Sequence, residues 1–287
     1  MRKKVKLGKI MDTIGANIAV IIITAVWIFP LIWLFATAFN GQGTMYDQKG
    51  FFPRVWSLKN FKDLFTDTSY YIYPKWLINT LYVAVISCIG STYMNIVTAY
   101  SMSRFRFKGR KTMMKGTLII GMFPGFMAMV AVYLILMMFN LLGNLNSLVI
   151  VYVAGAGLGF LVAKGFFDTI NSSMEEAARI DGANNLQVFT KIMLPNAKPI
   201  LVYTSLMAFA APWSDYIFAK MILGPNRDNW TVAIGLMEMA GGAGTGDISQ
   251  FFSRFAAGSM LISVPITILF ISLQKYITLN LGGSVKG

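Results

Sequence analysis

Few side chains in this sequence are suited to covalent chemistry. The 287 residues include no His and a single cysteine, Cys88. This excludes His-dependent catalysis, Cys/His zinc sites and a disulfide within one chain. The stretch from Gly109 to Thr112 resembles part of a phosphate-binding loop but lacks the required preceding glycine. We therefore expect no catalytic, cofactor-binding or metal-ligating residues, and a protein that is not an enzyme.

The most informative spacing lies between residues 171 and 195, where two short helices around a turn are predicted. Ser173 followed by Glu176 fits a capping box at the start of the first helix. Gly182 can adopt the left-handed conformation that ends a helix. Asn184 or Asn185 can then cap the second helix.

The second of these helices carries an apolar stripe. Its apolar positions recur at helical spacing, at Leu186, Phe189, Ile192 and Met193, and Pro195 is expected to end it. Such a stripe needs a surface to pack against. Two alternatives stay open on the residues alone: the inner face of the same protein, or a docking site for a cytosolic partner.

Composition places the whole chain in a membrane. Hydrophobic residues make up 56%, charged residues only 13%, and the mean hydropathy is +0.60. Soluble domains carry about twice this share of charge, and the 14% aromatic content excludes disorder. The net charge of +13 then indicates inner loops that face anionic lipid, and no nucleic-acid partner is expected.

Six apolar runs are long enough to cross the hydrocarbon core, which takes about 20 helical residues. They are residues 16–38, 76–102, 116–139, 147–163, 199–219 and 255–274. The first run exceeds the about 7–15 residues of a signal-peptide core, which argues against a cleaved signal. The predicted fold class is an all-α polytopic membrane protein with six transmembrane helices.

Helix irregularities are expected inside these runs. Prolines are predicted to interrupt helices beside a cavity, at Pro30, Pro124, Pro212 and Pro265. Glycines in the fourth run are predicted to allow close helix packing, at Gly155, Gly157 and Gly159.

The distribution of basic residues orients the spans. With the N-terminus inside, seventeen of the 25 Lys and Arg residues fall on inner segments, as the positive-inside bias requires. Both termini are therefore predicted to be cytoplasmic. The chain divides into a basic N-terminus (1–15), one transmembrane domain (16–278) with a cytoplasmic loop at 165–198, and a cytoplasmic tail (279–287).

One fixed pattern in the cytoplasmic loop resembles a known family. The pattern is Glu176-Ala177-Ala178, three residues, Gly182, nine residues, then Ile192, Leu194 and Pro195. It is similar to the coupling-loop signature of permease subunits of ATP-binding-cassette (ABC) importers. Three further stretches resemble MalG-type permeases of maltose and maltodextrin importers: Met122–Pro124, Lys164–Ile170 and Gly282–Gly287.

This resemblance implies a type I ABC importer permease fold in a bacterial cytoplasmic membrane. It implies a second, homologous permease subunit, two copies of a cytosolic ATPase and an extracellular solute-binding protein. ATP and Mg would be used by the ATPase, with Glu176 and the following alanines at its contact. The implied cargo is an oligosaccharide, with maltose and malto-oligosaccharides favoured and galacto-oligosaccharides as the alternative.

A substrate path is predicted around Asp215, the only acid inside a predicted span. Intramembrane charges usually face a cavity or a partner. Aromatic side chains suited to stacking on sugar rings are Phe123, Trp213 and Tyr216. Two alternatives remain, that these rings fill helix interfaces or that the partner permease alone holds the sugar.

The external segment 223–254 carries a glycine-rich stretch that can approach another surface closely. In the maltose-type importers that this chain resembles, the corresponding loop reaches into the binding protein. The resemblance therefore implies binding-protein contact at Gly241, Gly242, Gly244 and Gly246. A flexible connector is the alternative.

Two other classes of protein fit the sequence less well. An ion-coupled secondary transporter would need polar or ionisable residues near the bilayer midplane and usually an inverted repeat. Asp215 is the only acidic residue inside a predicted span. A membrane scaffold without transport would leave the spacing around Gly182 unexplained.

The orientation makes a direct labelling prediction. Single cysteines placed at Thr112 and Ser173, in a Cys88→Ser variant, should react only with thiol reagents that enter the cytoplasm. A reporter at Gly242 should be accessible from outside intact cells. Labelling of Thr112→Cys or Ser173→Cys by an impermeant reagent would contradict the predicted topology.

Overall fold

Helices account for nearly all of the regular structure in the computed structural model of the chain. The structure describes residues 2–42, 44, 50–69, 71–241 and 248–281. Within these ranges the single β feature is an isolated antiparallel bridge between Asn40 and Trp56. The chain divides into two units, one of residues 1–71 with 238–261 and one of residues 72–237 with 262–287.

The α-helices follow one another in chain order, with short turns between most of them. They are α1 (Arg2–Ala38), α2 (Lys59–Thr66), α3 (Tyr73–Arg104), α4 (Arg110–Gly121), α5 (Gly125–Met138), α6 (Leu145–Ala156), α7 (Phe160–Thr169), α8 (Ser173–Ile180), α9 (Asn185–Gln187), α10 (Leu194–Asn196), α11 (Lys198–Ser214), α12 (Ile217–Leu223), α13 (Val232–Ala240) and α14 (Ile248–Leu281). A π-helical segment, Val188–Met193, joins α9 to α10, and a 3-10 turn covers Arg227–Asn229.

Three of the predicted spans are single long helices. Residues 16–38, 76–102 and 255–274 lie within α1, α3 and α14. Three helices of the described chain are long and apolar enough to cross a membrane, and five spans result if each of two bent pairs counts as one. The number six therefore stays a prediction.

The third and fourth predicted spans are bent pairs of helices. Residues 116–139 fall on α4 and α5, which meet at 104° where Pro124 follows Met122 and Phe123. Proline has no amide hydrogen to continue the helix, so the break falls there. Residues 147–163 fall on α6 and α7, which meet at 42°.

The glycines of the fourth span form this second bend, and the prediction that they allow close helix packing is confirmed only at Gly159, where an added Cβ would lie 3.3 Å from Asn95 Nδ2 of α3. The amides of Gly157, Leu158 and Gly159 each bond the carbonyl three residues earlier, which ends the α-helical pattern. A Cβ added at Gly155 would meet no atom within 4 Å. An even closer approach occurs at Gly90 of α3, where a Cβ would lie 2.6 Å from Val153 of α6.

The fifth predicted span, 199–219, is also not one helix. α11 ends at Ser214, and the extended backbone of Asp215 separates it from α12.

The prediction that prolines interrupt helices holds at Pro124 and is wrong at Pro30, Pro212 and Pro265, which lie inside continuous helices.

In the first unit, side chains fix the segment that follows α1. The buried Asn60 amide donates to the carbonyls of Ala38 (3.0 Å) and Asn40 (2.8 Å). Arg254 donates to Asp67 at 2.8 Å and pairs with Asp63 at 3.2 Å. The hydrogen bond from Arg254 holds the pKa of Asp67 below its usual value, so this carboxylate stays ionised.

In the second unit, α3 is the central helix and packs along α6, α7 and α11. Its first turn is held by Trp76, whose Nε1 donates to the carbonyl of Arg227 at 2.8 Å. The Trp76 ring is fully buried. A Cβ added at Gly235 of α13 would lie 1.9 Å from this ring, so only glycine fits there.

Gly235→Ala should therefore destabilise the protein, because the buried Trp76 ring has no room to move. Overpacking of this kind costs about 1–3 kcal/mol of unfolding free energy. The matched control is Gly116→Ala in α4, where a Cβ meets open space and alanine favours the helix by up to about 1 kcal/mol. We expect a lower unfolding temperature in detergent for Gly235→Ala alone, and equal temperatures would contradict the packing argument.

Candidate functional site

The loop between α7 and α11 begins with the amphipathic helix α8, which ends in a complete Schellman motif. Gly182 has φ 86°, the left-handed conformation predicted for it. The amide of Ala183 donates to the carbonyl of Ala178 at 2.9 Å, and that of Gly182 donates to Arg179 at 3.1 Å. These two bonds satisfy carbonyls at the helix end and fix the direction in which the chain leaves it.

The second helix of the loop begins at a capping box formed by Asn184 and Gln187. The Gln187 amide donates to Asn184 Oδ1 at 2.9 Å, and the Asn184 amide donates to Gln187 Oε1 at 2.8 Å. The prediction that Asn184 or Asn185 caps this helix is therefore confirmed for Asn184.

Two other predicted helix signals in the loop are wrong. Ser173 does not form the expected capping box with Glu176: α8 starts one residue after Ser172, and the Ser173 amide bonds the side chain of Asn171 instead. Pro195 does not end the second helix, because the π-helical segment Val188–Met193 is followed directly by α10. Pro195 thus falls in the first turn of α10, where proline is tolerated.

One face of the loop packs against the membrane helices of the same chain. Ala178, Val188 and Met193 belong to a buried cluster that they share with residues of α3, α7 and α11. The ring of Tyr100 on α3 lies 4.7 Å from the ring of Phe189. The first of the two alternatives for the apolar stripe, packing on the protein's own surface, is therefore right for this face.

A buried ion pair connects α8 to the C-terminal end of α3. Arg104 Nε lies 2.5 Å from Glu175 Oε1, and the two side chains are only 15% and 8% exposed. The same guanidinium donates through Nη2 to the carbonyls of Phe167 (2.9 Å) and Ile170 (2.7 Å), at the end of α7. One arginine thus joins the ends of two membrane helices to the loop helix.

The opposite face of the loop is exposed in the isolated chain. Glu176 and Ala177 are exposed on α8. Two large apolar side chains are also exposed, Ile180 at 86% and Leu186 at 70%. Apolar side chains at this level of exposure, beside an acid at a helix N-terminus, are typical of an interaction surface.

The predicted site residues of the loop divide between its two faces. The exposed ones are Glu176, Ala177, Gly182 and Pro195, while Ala178 is buried and Ile192 and Leu194 are half-buried. Sequence reasoning missed Glu175 and Arg104. The available signal was the pair of adjacent acids, because neighbouring helical residues point about 100° apart and can therefore lie on different faces of the helix.

The predicted substrate path is only partly assembled by the fold. Asp215 Oδ2 accepts a hydrogen bond from the hydroxyl of Tyr152 at 2.6 Å, and Asp215 Oδ1 accepts from the amide of Phe218. Trp213 is buried against Phe209, with ring centroids 5.8 Å apart.

The remaining aromatic residues of that path lie elsewhere in the described chain. Tyr216 is half-buried just after Asp215, and Phe123 is 64% exposed at the bend between α4 and α5. Tyr152, which sequence reasoning missed, is the residue that the fold brings to Asp215. Of the predicted binding-protein contacts, Gly241 is exposed after α13, whereas Gly242, Gly244 and Gly246 lie outside the described residues.

Residues 94–281 match the family described as binding-protein-dependent transport system inner membrane component. The chain is 34% identical over 283 residues to the maltodextrin transport system permease protein MdxG of Bacillus subtilis (strain 168), covering 98% of each chain. It is 31% identical over 265 residues to the galactooligosaccharides transport system permease protein GanQ of the same organism, covering 91% of this chain and 90% of that one.

The chain therefore belongs to the family of inner-membrane components of binding-protein-dependent transport systems, as the resemblance of the loop predicts. A chain in the crystal structure of a bacterial ABC transporter involved in the import of the acidic polysaccharide alginate superimposes with a TM-score of 0.78. That match covers 93% of this chain and 96% of the other, at 22% identity. The match shows that this chain shares the fold of that transporter chain.

Removing one partner of the buried ion pair should loosen the loop. Glu175→Ala leaves Arg104 buried without its counter-ion, which costs about 3–5 kcal/mol. The matched control, Glu176→Ala, removes an exposed neighbouring acid and should change stability by less than about 0.5 kcal/mol. We expect faster hydrogen exchange of residues 173–180 in Glu175→Ala only, and equal exchange in both variants would contradict the fastening role of the pair.

Proposed function

We propose that this chain is a transmembrane permease subunit of an ATP-driven, binding-protein-dependent importer of oligosaccharides. The observation that carries the proposal is the two-faced loop between α7 and α11. One face is buried on the membrane helices, and the other exposes Glu176, Ala177, Ile180 and Leu186. A segment built in this way can transmit movement between a partner on its exposed face and the helices behind it.

The partner on the exposed face is, in this proposal, a cytosolic ATPase present in two copies. ATP and Mg²⁺ are used by that ATPase, and this chain itself carries out no covalent chemistry. A second, homologous permease completes the pathway through the membrane. An extracellular solute-binding protein delivers the sugar, with Gly241 to Gly246 as its contact on this chain. Six spans with both termini in the cytoplasm fit the distribution of basic residues.

Malto-oligosaccharides are the proposed cargo. Support comes from the relatives named for maltodextrin transport, among them the permease MalD of Streptococcus pneumoniae (strain ATCC BAA-255 / R6), 33% identical over 289 residues. Galacto-oligosaccharides are the second candidate, because GanQ is almost equally similar. Both are neutral oligosaccharides, so the choice between them changes the sugar and leaves the mechanism as it is.

The proposal is tested by reconstituting the complete importer in proteoliposomes with its binding protein. Uptake of radiolabelled maltotriose should require ATP on the ATPase side and continue when ionophores collapse every ion gradient. Galactotriose serves as the competing cargo. Uptake driven by an ion gradient without ATP would contradict the proposal and favour a secondary transporter.

Gly182 offers a variant that separates coupling from folding. Gly182→Val forces a β-branched residue into a φ > 0 position, which costs about 1–3 kcal/mol and changes the direction of the chain after α8. The control is Gly182→Asn, because asparagine tolerates the left-handed conformation. We expect both variants to insert in the membrane and only Gly182→Val to lose ATP-driven uptake. Full uptake by Gly182→Val would show that the turn is not needed for coupling.

A further inference from the structure

The segment that follows α1 in the first unit turns back along that helix. The ring of Phe51 packs on the ring of Phe29 in α1, with their centroids 4.9 Å apart. Phe29 lies nine residues before Ala38, the last residue of α1 (38 − 29), which is about 13 Å along the helix axis. α1 is long and apolar enough to cross a membrane. The chain at Phe51 has therefore returned to the level of the last turns of a membrane helix.

Backbone hydrogen bonds hold the returning segment against the end of α1. The amide of Gly41 donates to the carbonyl of Val55 at 2.9 Å, and the amide of Ser57 donates to the carbonyl of Phe39 at 2.8 Å. Pro53, between them in the segment, has no amide hydrogen to satisfy. Non-helical backbone beside a bilayer needs such internal partners, because hydrocarbon offers none.

The side chains of this segment form an exposed apolar surface that is continuous with α1. The ring of Trp56 lies 6.4 Å from that of Phe52 and 6.5 Å from that of Phe35 in α1. All three rings are exposed, as are the nearby side chains of Val55 and Leu58. Tryptophan is enriched where hydrocarbon meets the lipid headgroups, because its ring is apolar and its indole N–H is polar. This composition suits the headgroup layer of a bilayer.

The exposed face of α2 combines apolar and cationic side chains. Leu58, Lys62 and Phe65 are spaced by four and three residues, which places them on one side of the helix. All three are exposed, whereas Asn60 and Leu64 on the opposite side are buried. Helices that lie in a membrane interface show this arrangement on their lipid-facing surface and its border.

The charge that this part of the chain leaves unpaired is positive. Exposed cations lie along it at Arg54, Lys59 and Lys62. None of the three forms an ion pair within the ranges that the structure describes, whereas the carboxylates of Asp63 and Asp67 are both held by Arg254. These cations are three of the eight Lys and Arg residues on predicted outer segments (25 − 17), which the positive-inside bias does not explain. Lipid phosphates are a matching counter-charge, and long basic side chains can reach them from an apolar surface.

We propose that residues 50–65, the interfacial segment, anchor the C-terminal end of α1 in the headgroup layer of the bilayer. The exposed aromatic and aliphatic side chains enter the edge of the hydrocarbon, and the three cations contact phospholipid phosphates. In the predicted orientation this is the outer leaflet. A water-soluble partner would approach from beyond the headgroups, whereas the contact between Phe51 and Phe29 places the segment beside the membrane helix. This anchoring role goes beyond the importer function and depends on neither its cargo nor its ATPase.

The test measures membrane depth in the complete importer, in nanodiscs of phosphatidylethanolamine and phosphatidylglycerol. A nitroxide is attached to a single cysteine in a Cys88→Ser background, at the exposed positions Val55→Cys or Leu58→Cys. The matched control is Thr68→Cys, in the exposed polar turn after α2. Electron paramagnetic resonance compares collisions with oxygen, which concentrates in the bilayer, and with a water-soluble nickel chelate. Phospholipids labelled at the headgroup and along the acyl chain calibrate the depth.

We expect the ratio of oxygen to nickel collision rates at Val55→Cys and Leu58→Cys to be severalfold higher than at Thr68→Cys. A ratio equal to that of the control would show a segment open to water and would overturn the anchor. Low collision rates with both reagents would show that another protein covers the segment, which would overturn it equally.

A charge variant tests the phosphate contact separately. Lys62→Glu places an acid against the phosphates, so the ratio at Leu58→Cys should fall toward that of Thr68→Cys. The control Lys62→Arg keeps the charge and should leave the ratio unchanged. The same ratio in both variants would overturn the phosphate contact. None of these readouts uses transport, so a failure of the importer function is recognised separately, in the uptake assay.

Discussion

The α7–α11 loop is attached to the membrane helices by a buried apolar cluster and by one buried charge pair, Arg104 with Glu175. Buried ion pairs give little net stability, because both charges lose their water, but breaking one leaves a charge that nothing compensates. Arg104 also bonds the last carbonyls of α7, so α3, α7 and α8 are constrained at one point. A force applied to the exposed face of α8 therefore acts on the membrane helices rather than on a loose loop.

The same requirement for satisfied polar groups explains the breaks within the membrane helices. Backbone groups cannot be left unpaired in hydrocarbon, so irregular backbone is tolerated only where protein or water-filled space covers it. At the bend between α6 and α7, tight turns bond the carbonyls of residues 154–156. At the end of α11, Asp215 binds the Phe218 amide and the Tyr152 hydroxyl.

Local sequence signals predicted the parts of the structure that depend on local geometry. The apolar runs located α1, α3 and α14, and Gly182 and Asn184 adopt the conformations that their types favour. The burial of Glu175 rather than Glu176 depends on the position of Arg104, 71 residues earlier in the chain (175 − 104), which a local sequence pattern does not contain. The contact between Tyr152 and Asp215 escaped prediction for the same reason. The bend angles depend on packing against neighbouring helices.

The central claim, that α8 moves together with α3 as one body, is tested most directly by a distance measurement. Spin labels at Tyr93→Cys and Ser173→Cys, in a Cys88→Ser background, occupy two exposed positions on α3 and α8. Pulsed electron paramagnetic resonance then compares the assembled importer without nucleotide and with ATP trapped. We predict the same narrow distance distribution in both states, because the buried pair keeps the two helices together. A shift of several ångströms between the states would contradict the account.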